Sequence, residues 1–230
     1  WIGLVGSEMC IRDRYGSLLL KACIFEKTHY TDITGENHWV KKQMDLYNEE
    51  AISKGVRVIP SCGYDSLPSD IGTLFAINQI NKSVKKVEVF HSASGGASGG
   101  TIESIFSMGK LPKEMRDPFL LNPQESVSDF QRKKSADSLS IKWIEEAQKW
   151  SGLGLFSVAN TRVVRRSAAL MEMNQKSYGN NFVFKEYGAY ASKNSARIAS
   201  IGLILGFLII SSPLKLSLIH ISEPTRPIHI

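Results

Sequence analysis

The sequence predicts an α/β fold built around a parallel sheet, because helical and strand-like segments alternate along its first half. Short runs rich in β-branched and aromatic residues occupy 29–33, 56–60 and 86–90. Helical patterns precede and separate them, at 16–27, 37–54 and 66–80. A Gly/Ser-rich segment from Ser92 to Gly100 then leads into a further predicted helix, 101–110.

The helix predicted at 37–54 has the clearest amphipathic pattern. Val40, Met44, Tyr47 and Ala51 follow one another at i, i+4, i+7 and i+11, which places them on one face. Gly55 stands where a helix C-terminal glycine belongs. The next run, 56–60, is interpreted as a buried strand. Ser66 opens the following helix, with Pro68 and Asp70 in a first turn that tolerates a missing N–H and a negative charge.

The pattern becomes less regular after Lys110. Pro112, Pro118 and Pro123 indicate irregular structure, and 124–140 is predicted to be an exposed loop with a helix resuming near Ile141. The segments 160–173 and 181–190 are strands or strand–helix pieces, and their pattern leaves the type open.

Both ends of the chain are interpreted as translated sequencing adapter. Segments 4–13 and 216–226 can be back-translated to complementary strands of one oligonucleotide that resembles a transposase-library adapter. A natural amphipathic terminus is the alternative. Residues 1–14 and 216–230 are therefore excluded from fold reasoning, and the native part, about 15–215, is expected to be cut at both ends.

Charge and cysteine content give few constraints. The net charge is +6, and the excluded ends carry three acidic and three basic residues, so the native part keeps +6. The basic groups 132–134 and Arg162/Arg165/Arg166 are short, as solvated helix faces usually are, so no nucleic-acid partner is expected. Cys23 and Cys62, the cysteines outside the ends, have neither metal-ligand spacing nor a disulfide framework, which indicates a reducing compartment.

The first candidate site motif lies at a strand-to-helix junction and contains Cys62, Gly63, Asp65 and Ser66. Ligands of parallel α/β proteins sit at the carboxyl ends of strands. Glycine lets the backbone approach a cofactor closely, and a helix N-terminus offers unpaired N–H groups. The alternative is a tight turn followed by a helix cap.

The second motif is the Gly-rich loop between a strand and a helix, with Gly95, Gly96, Ser98, Gly99, Gly100 and Thr101. Its glycines would expose backbone N–H groups to an anion or form a mobile loop beside a site. The loop does not match the Gly-x-Gly-x-x-Gly dinucleotide fingerprint, and a flexible linker is the alternative.

The third motif follows the strand at 29–33 and contains Tyr30, Asp32, Thr34, Gly35 and Glu36. A carboxylate beside a nicotinamide could orient a substrate or handle a proton. A turn with an Asx-type hydrogen bond is the other interpretation.

Taken in order, these motifs resemble the saccharopine-dehydrogenase-like oxidoreductases, also called trans-acting enoyl reductases. The resemblance covers nearly all of 15–215 and rests on six phrases, at 28–36, 55–70, 98–101, 118–123, 160–167 and 178–182. It implies a Rossmann-type domain that binds NADP or NAD, followed by an α/β substrate domain that takes a lipid-like small molecule. The first motif and the third would contact the cofactor, and the Gly-rich loop would contact the substrate.

The resemblance also implies that the pyrophosphate loop and the first strands lie upstream of residue 15. The expected arrangement is a partial Rossmann-type sheet at 15–92, a substrate domain at 93–195 and a hydrophobic helix at 196–215. A sheet without its first strands would expose an edge. The chain by itself is therefore expected to bind a dinucleotide poorly and to be inactive.

The segment from Ile198 to Leu214 contains no charged residue and is seventeen residues long, at the lower limit for crossing a bilayer. Pro213 would shorten the helix further. The resemblance implies contact with a membrane or lipid-droplet surface on the cytoplasmic side, and a buried helix at a domain interface is the alternative. Two functions remain open: a nicotinamide-dependent reductase, or a non-catalytic membrane-associated protein that keeps the fold.

Overall fold

A computed structural model describes residues 12–80, 82–92, 117–123, 126–135, 137 and 140–211. The α/β fold with parallel strand pairing that the sequence predicts is confirmed. The elements in chain order are α1 (Arg12–Phe25), β1 (Tyr30–Thr31), α2 (Asn37–Lys54), β2 (Val58–Ile59), α3 (Leu67–Ile80), β3 (Lys86–His91), α4 (Asp129–Lys134), β4 (Trp143–Ile144), β5 (Lys149–Gly152), α5 (Ser157–Met173), β6 (Val183–Tyr190) and α6 (Lys193–Ser211).

The N-terminal unit is a parallel pair of strands covered by two helices. Tyr30 pairs with Val58, and Thr31 pairs with Ile59. The predicted face of α2 packs into the core: Val40 and Ala51 are buried, with Met44 and Tyr47 packed against them. The helix ends at Gly55, whose φ of 67° is the left-handed conformation that glycine adopts without steric cost.

The second sheet has the strand order β3-β6-β5-β4. Strand β3 pairs with β6 in parallel from Lys86↔Val183 to His91↔Gly188, whereas β5 pairs with β6 and β4 with β5 in antiparallel fashion. Helices α3 and α5 cover one face of this sheet. They share a core with the strands that is built from Ile77, Val84, Val164, Tyr178, Phe182 and Phe184.

Three predictions about local structure were wrong. The region near Ile141 continues into strand β4, and the predicted loop at 124–140 contains helix α4. This helix begins with a capping box, in which Ser128 and Gln131 exchange hydrogen bonds with each other's backbone N–H. Strand β2 is not buried throughout, because it pairs with β1 on one side and leaves Ile59 54% exposed.

The structure also shows the type of the two segments that the sequence pattern left open. Segment 160–173 is helical as part of α5, and 183–190 forms strand β6. The apolar segment forms α6, which is seated on β5 and β6 through the buried residues Ala196 and Ser200. In the described part of the chain, no helix is both long and apolar enough to cross a membrane.

Most of the residues interpreted as adapter-derived lie outside the described part of the chain. Segments 1–11 and 212–230 lie outside the described residues, while Arg12, Asp13 and Arg14 form the start of α1.

Candidate functional site

The loops that follow β1 and β2 meet at the same end of the parallel pair. The Cys62 N–H donates to the Asp32 carbonyl at 2.7 Å, and the Ser61 N–H donates to Asp32 Oδ1 at 3.1 Å. Parallel strands end at a common edge, which is why these two motifs come together. Two of the three motifs are thus adjacent, as the sequence predicts.

The carboxylate of Asp32 organises this junction. Its Oδ1 also accepts from the Thr34 N–H at 2.9 Å, which is the Asx-type turn considered above, and its Oδ2 accepts from the Tyr30 hydroxyl at 2.9 Å. The Tyr30 hydroxyl and the N–H groups of Thr34 and Ser61 therefore all donate to the Asp32 carboxylate. Asp32 and the buried Tyr30 therefore fix the positions of the two loops.

The Asp65 carboxylate lies beside Gly35 of the other loop and Gly63 of its own loop, where the absence of a side chain leaves room for it. A Cβ on Gly63 would press on the Asp65 carboxylate and come within 3.0 Å of Ile33 Cβ. A Cβ on Gly35 would lie 3.5 Å from Asp65 Oδ2. Close approach of the two loops therefore requires glycine at 63. Around them, Thr34 and Glu36 are buried, and the Cys62 thiol is half-buried.

A buried network connects this junction to the second sheet. The Ser66 hydroxyl donates to Asn160 Oδ1 at 2.8 Å. The Asn160 amide donates in turn to the Asp65 carbonyl at 2.6 Å and to Glu186 Oε1 at 2.8 Å. Ser66 and Asn160 are both 1% exposed, so the network joins the loop after β2 to α5 and β6 in the interior.

The network ends at His91, the last residue of β3. The Ser69 hydroxyl donates to Glu186 Oε2 at 2.7 Å and lies 2.9 Å from His91 Nε2. Hydrogen bonding and charge from Glu186 raise the pKa of His91 above its ordinary value, although burial opposes this. Sequence reasoning missed Ser69, Asn160, Glu186 and His91, because they come from four separate elements and form no local motif.

The proposed substrate-binding set lies outside the described residues. It comprises Gly95, Gly96, Ser98, Gly99, Gly100 and Thr101. The chain enters this segment directly after His91 and Ser92, at the end of β3. Within the described ranges, no group of three His, Cys, Asp or Glu side chains could hold a metal ion.

The interpretation of Arg162, Arg165 and Arg166 as a solvated face was wrong. Arg162 and Arg165 are each 4% exposed and pair with Asp137 at 2.8 and 3.2 Å. Arg165 also donates to the carbonyls of Pro118, Ser135 and Phe184. Burial lowers the pKa of Arg165 to about 10, which still leaves it charged at neutral pH. Arg162 and Arg165 thus hold the residues that follow α4, and Arg165 also holds Pro118, which precedes it.

The fold and the paired loops define an α/β protein of Rossmann-like type. The chain is similar to the trans-acting enoyl reductases of Mycobacterium ulcerans (strain Agy99) and Mycobacterium leprae (strain TN), each 30% identical over 211 residues. Each match covers 81% of this chain and 48% of the relative. The trans-acting enoyl reductase of Mycobacterium bovis (strain BCG / Pasteur 1173P2) is 31% identical over 197 residues, or 75% of this chain and 44% of the relative.

All three relatives carry the name trans-acting enoyl reductase. The chain spans about half the length of the curated relatives that it matches. No family model matches it. No solved structure matches it either.

Proposed function

We propose that this chain is part of an NADP- or NAD-dependent oxidoreductase of the saccharopine-dehydrogenase-like, enoyl reductase type. The observation that carries the proposal is the meeting of loops 32–36 and 61–66 at the carboxyl end of β1 and β2. This is the position at which α/β proteins hold nucleotides. The names of the relatives supply the reaction class.

The residues present fit a nicotinamide dinucleotide at the edge of these loops. Glycine at 35 and 63 lets the two loops pack closely at this edge, and Ser66 stands directly before the N-terminus of α3. Thr34, Glu36, Cys62 and Asp65 are the polar and thiol side chains of the same loops. When bound, the cofactor supplies the hydride for reduction.

Reduction of an enoyl group requires a proton as well as a hydride. His91 is a candidate proton donor in this network, because hydrogen bonding and charge from Glu186 raise its pKa and so favour its charged form. Ser69 connects the imidazole Nε2 to Glu186 and fixes the ring orientation. His91 precedes, in the chain, the Gly-rich segment that we propose as the substrate loop.

An apolar cavity next to the cofactor loops is consistent with a lipid-like substrate. Its volume is about 370 Å3, and its lining includes Leu20, Trp39, Val58, Ser61 and Leu170. Most of this lining is aliphatic or aromatic, as is usual for small-molecule sites with few polar contacts. The lipid-like character of the substrate is a proposal that rests on this cavity.

The test compares NADPH and NADH titrations of this chain and of a parent protein that includes the upstream sequence. We expect micromolar binding by the parent and none by the chain alone, because helix-terminal N–H groups of the upstream loop would hold the pyrophosphate. In the parent, Asp65→Ala should weaken binding, whereas Asp45→Ala, which removes an exposed ion pair with Lys41, should not. Equal binding by chain and parent would contradict the proposed role of the upstream loop. Absence of binding by the parent would contradict the oxidoreductase assignment.

A second candidate function, lipid-surface association, is favoured by one observation on α6. Ile198, Ile201, Leu205 and Leu208 follow a helical spacing and are 52–72% exposed. We propose that this face contacts a membrane or lipid-droplet surface, with the opposite face seated on the sheet. Liposome flotation of the protein and of an Ile201→Lys, Leu205→Lys variant tests this. We expect the unmodified protein to float with the liposomes and the variant to remain behind. Equal flotation of the two proteins would contradict this proposal.

A further inference from the structure

A cavity on the face of the second sheet opposite α3 and α5 concentrates positive charge. Its volume is about 610 Å3, and five lysines line it: Lys85, Lys86, Lys134, Lys142 and Lys185. We call it the lysine cavity. The lysines come from β3 and the residue before it, from α4, from the segment before β4 and from β6. They are distant in sequence, which is why the charge looks evenly spread along the chain.

The acidic residue in this lining, Glu88, neutralises the cavity only in part. It pairs with Lys86 at 2.8 Å and with Lys142 at 3.0 Å. Among the described residues, the side chains of Lys85, Lys134 and Lys185 have no hydrogen bond or ion pair. Five ammonium groups and one carboxylate leave a formal charge of +4.

Lys185 shows that this arrangement has an electrostatic cost. Burial lowers its pKa, and repulsion by Lys142, Lys86 and Arg165 lowers it further, while Glu88 opposes the change. Like charges at short range in a partly desolvated site disfavour one another. A bound anion would remove this repulsion and supply the missing hydrogen-bond acceptors.

The lining also includes apolar and aromatic surface. The Tyr187 ring stacks on Phe90 with centroids 5.4 Å apart, and the Lys142 ammonium lies 5.3 Å from the Tyr187 centroid. Phe130, on α4, is exposed at the same cavity. Such surfaces accept a planar or apolar group beside the anion.

We propose that the lysine cavity binds a small molecule that carries a di- or polyphosphate group. Ammonium groups are compact donors suited to phosphate oxygens. The volume is that of a small-molecule site, and the cavity is concave, which favours a small ligand over an acidic protein. The site is separate from the cofactor loops, because Lys185 and Tyr187 alternate with Glu186 along β6 and so face the other side of the sheet.

Isothermal titration calorimetry of this chain with inorganic pyrophosphate and with ADP tests the proposal. We expect saturable binding that weakens as salt is added. A Lys134→Gln, Lys185→Gln variant should bind at least about tenfold more weakly, since two charge-assisted contacts are lost. Lys134→Gln alone changes an exposed helical residue and should leave the fold intact. Weaker binding by this single variant would therefore reflect the lost charge and not unfolding. The matched control is Lys41→Gln, Lys54→Gln, which removes two lysines paired elsewhere on the surface.

Equal weakening by the control variant, or unchanged binding by the cavity variant, would overturn the proposal. So would failure of pyrophosphate and ADP to bind at millimolar concentration. Binding of a polyglutamate peptide without binding of either phosphate compound would assign the cavity to an acidic protein instead. None of these outcomes depends on nicotinamide binding by the parent, so this proposal and the proposed function fail separately.

Discussion

The side-chain amide of Asn160 donates to the Glu186 carboxylate at 2.8 Å in the interior of the protein. The same amide donates to the Asp65 carbonyl and accepts from Ser66. One side chain on α5 therefore fixes the loop after β2 relative to β6. The side chain of Glu186 is 1% exposed, and such a buried carboxylate is tolerable because Asn160 and Ser69 donate to its two oxygens.

Replacing Asn160 by Ala should lower the free energy of unfolding by about 2 to 4 kcal/mol, because Glu186 Oε1 and the Asp65 carbonyl lose a buried donor and the Ser66 hydroxyl loses its acceptor. Urea denaturation measures the change. Asn174→Ala is the control, since Asn174 is exposed and bonds one carbonyl at the end of α5. Similar losses for the two variants would mean that the buried network contributes little.

Replacing Arg165 by Met should cost about 3 kcal/mol, because three backbone carbonyls lose a buried donor and Asp137 loses one of its two cations. Arg132→Met removes a guanidinium from an exposed pair with Asp117 at 3.4 Å and should cost less than about 1 kcal/mol. Thermal or urea unfolding distinguishes the two. A mild effect at Arg165 would restore the interpretation of this arginine as a surface residue.

Stability should depend on pH through His91. Its pKa is raised in the folded protein, so its contribution is fully present below the ordinary value of 6.5 and is lost as pH rises through the raised value. The stability advantage of the unmodified chain over His91→Gln should therefore be larger at about pH 5.5 than at about pH 8. Glu186→Gln should remove most of this dependence. An advantage that grows with pH would show that the sign is wrong.

Replacing Gly63 by Ala should destabilise the chain by about 1 to 3 kcal/mol, because the new methyl group meets Asp65 and Ile33. In the parent protein the same change should weaken dinucleotide binding. Gly72→Ala is the matched control: it lies inside α3 with nothing within 4 Å of the added Cβ. It should stabilise the helix by about 0.5 to 1 kcal/mol. An equal gain at Gly63 would remove the argument for close approach of the two loops.

Local sequence determined the elements whose signal lies within a few residues. The apolar face of α2, its terminal Gly55, the start of α3 after Ser66 and the strand at 86–90 follow from periodicity and capping, and the structure confirms them. The approach of loops 32–36 and 61–66 was also predictable, because neighbouring parallel strands end at one edge. The type of segments 160–173 and 181–190 was not, because tertiary packing outweighed weak local preferences.

Only the tertiary structure brought Ser69, His91, Asn160 and Glu186 into one network, and Lys85, Lys134 and Lys185 into one cavity. These contacts join positions tens of residues apart, and no short-range pattern encodes them. Arg165 shows the same limit, because its neighbours in sequence suggest a solvated face while Asp137 and three carbonyls bury it. The sequence by itself thus determined the elements and the paired-loop junction. The tertiary structure decided which polar groups are buried together. The cost of desolvating a charge can be offset only by partners that folding brings close to it.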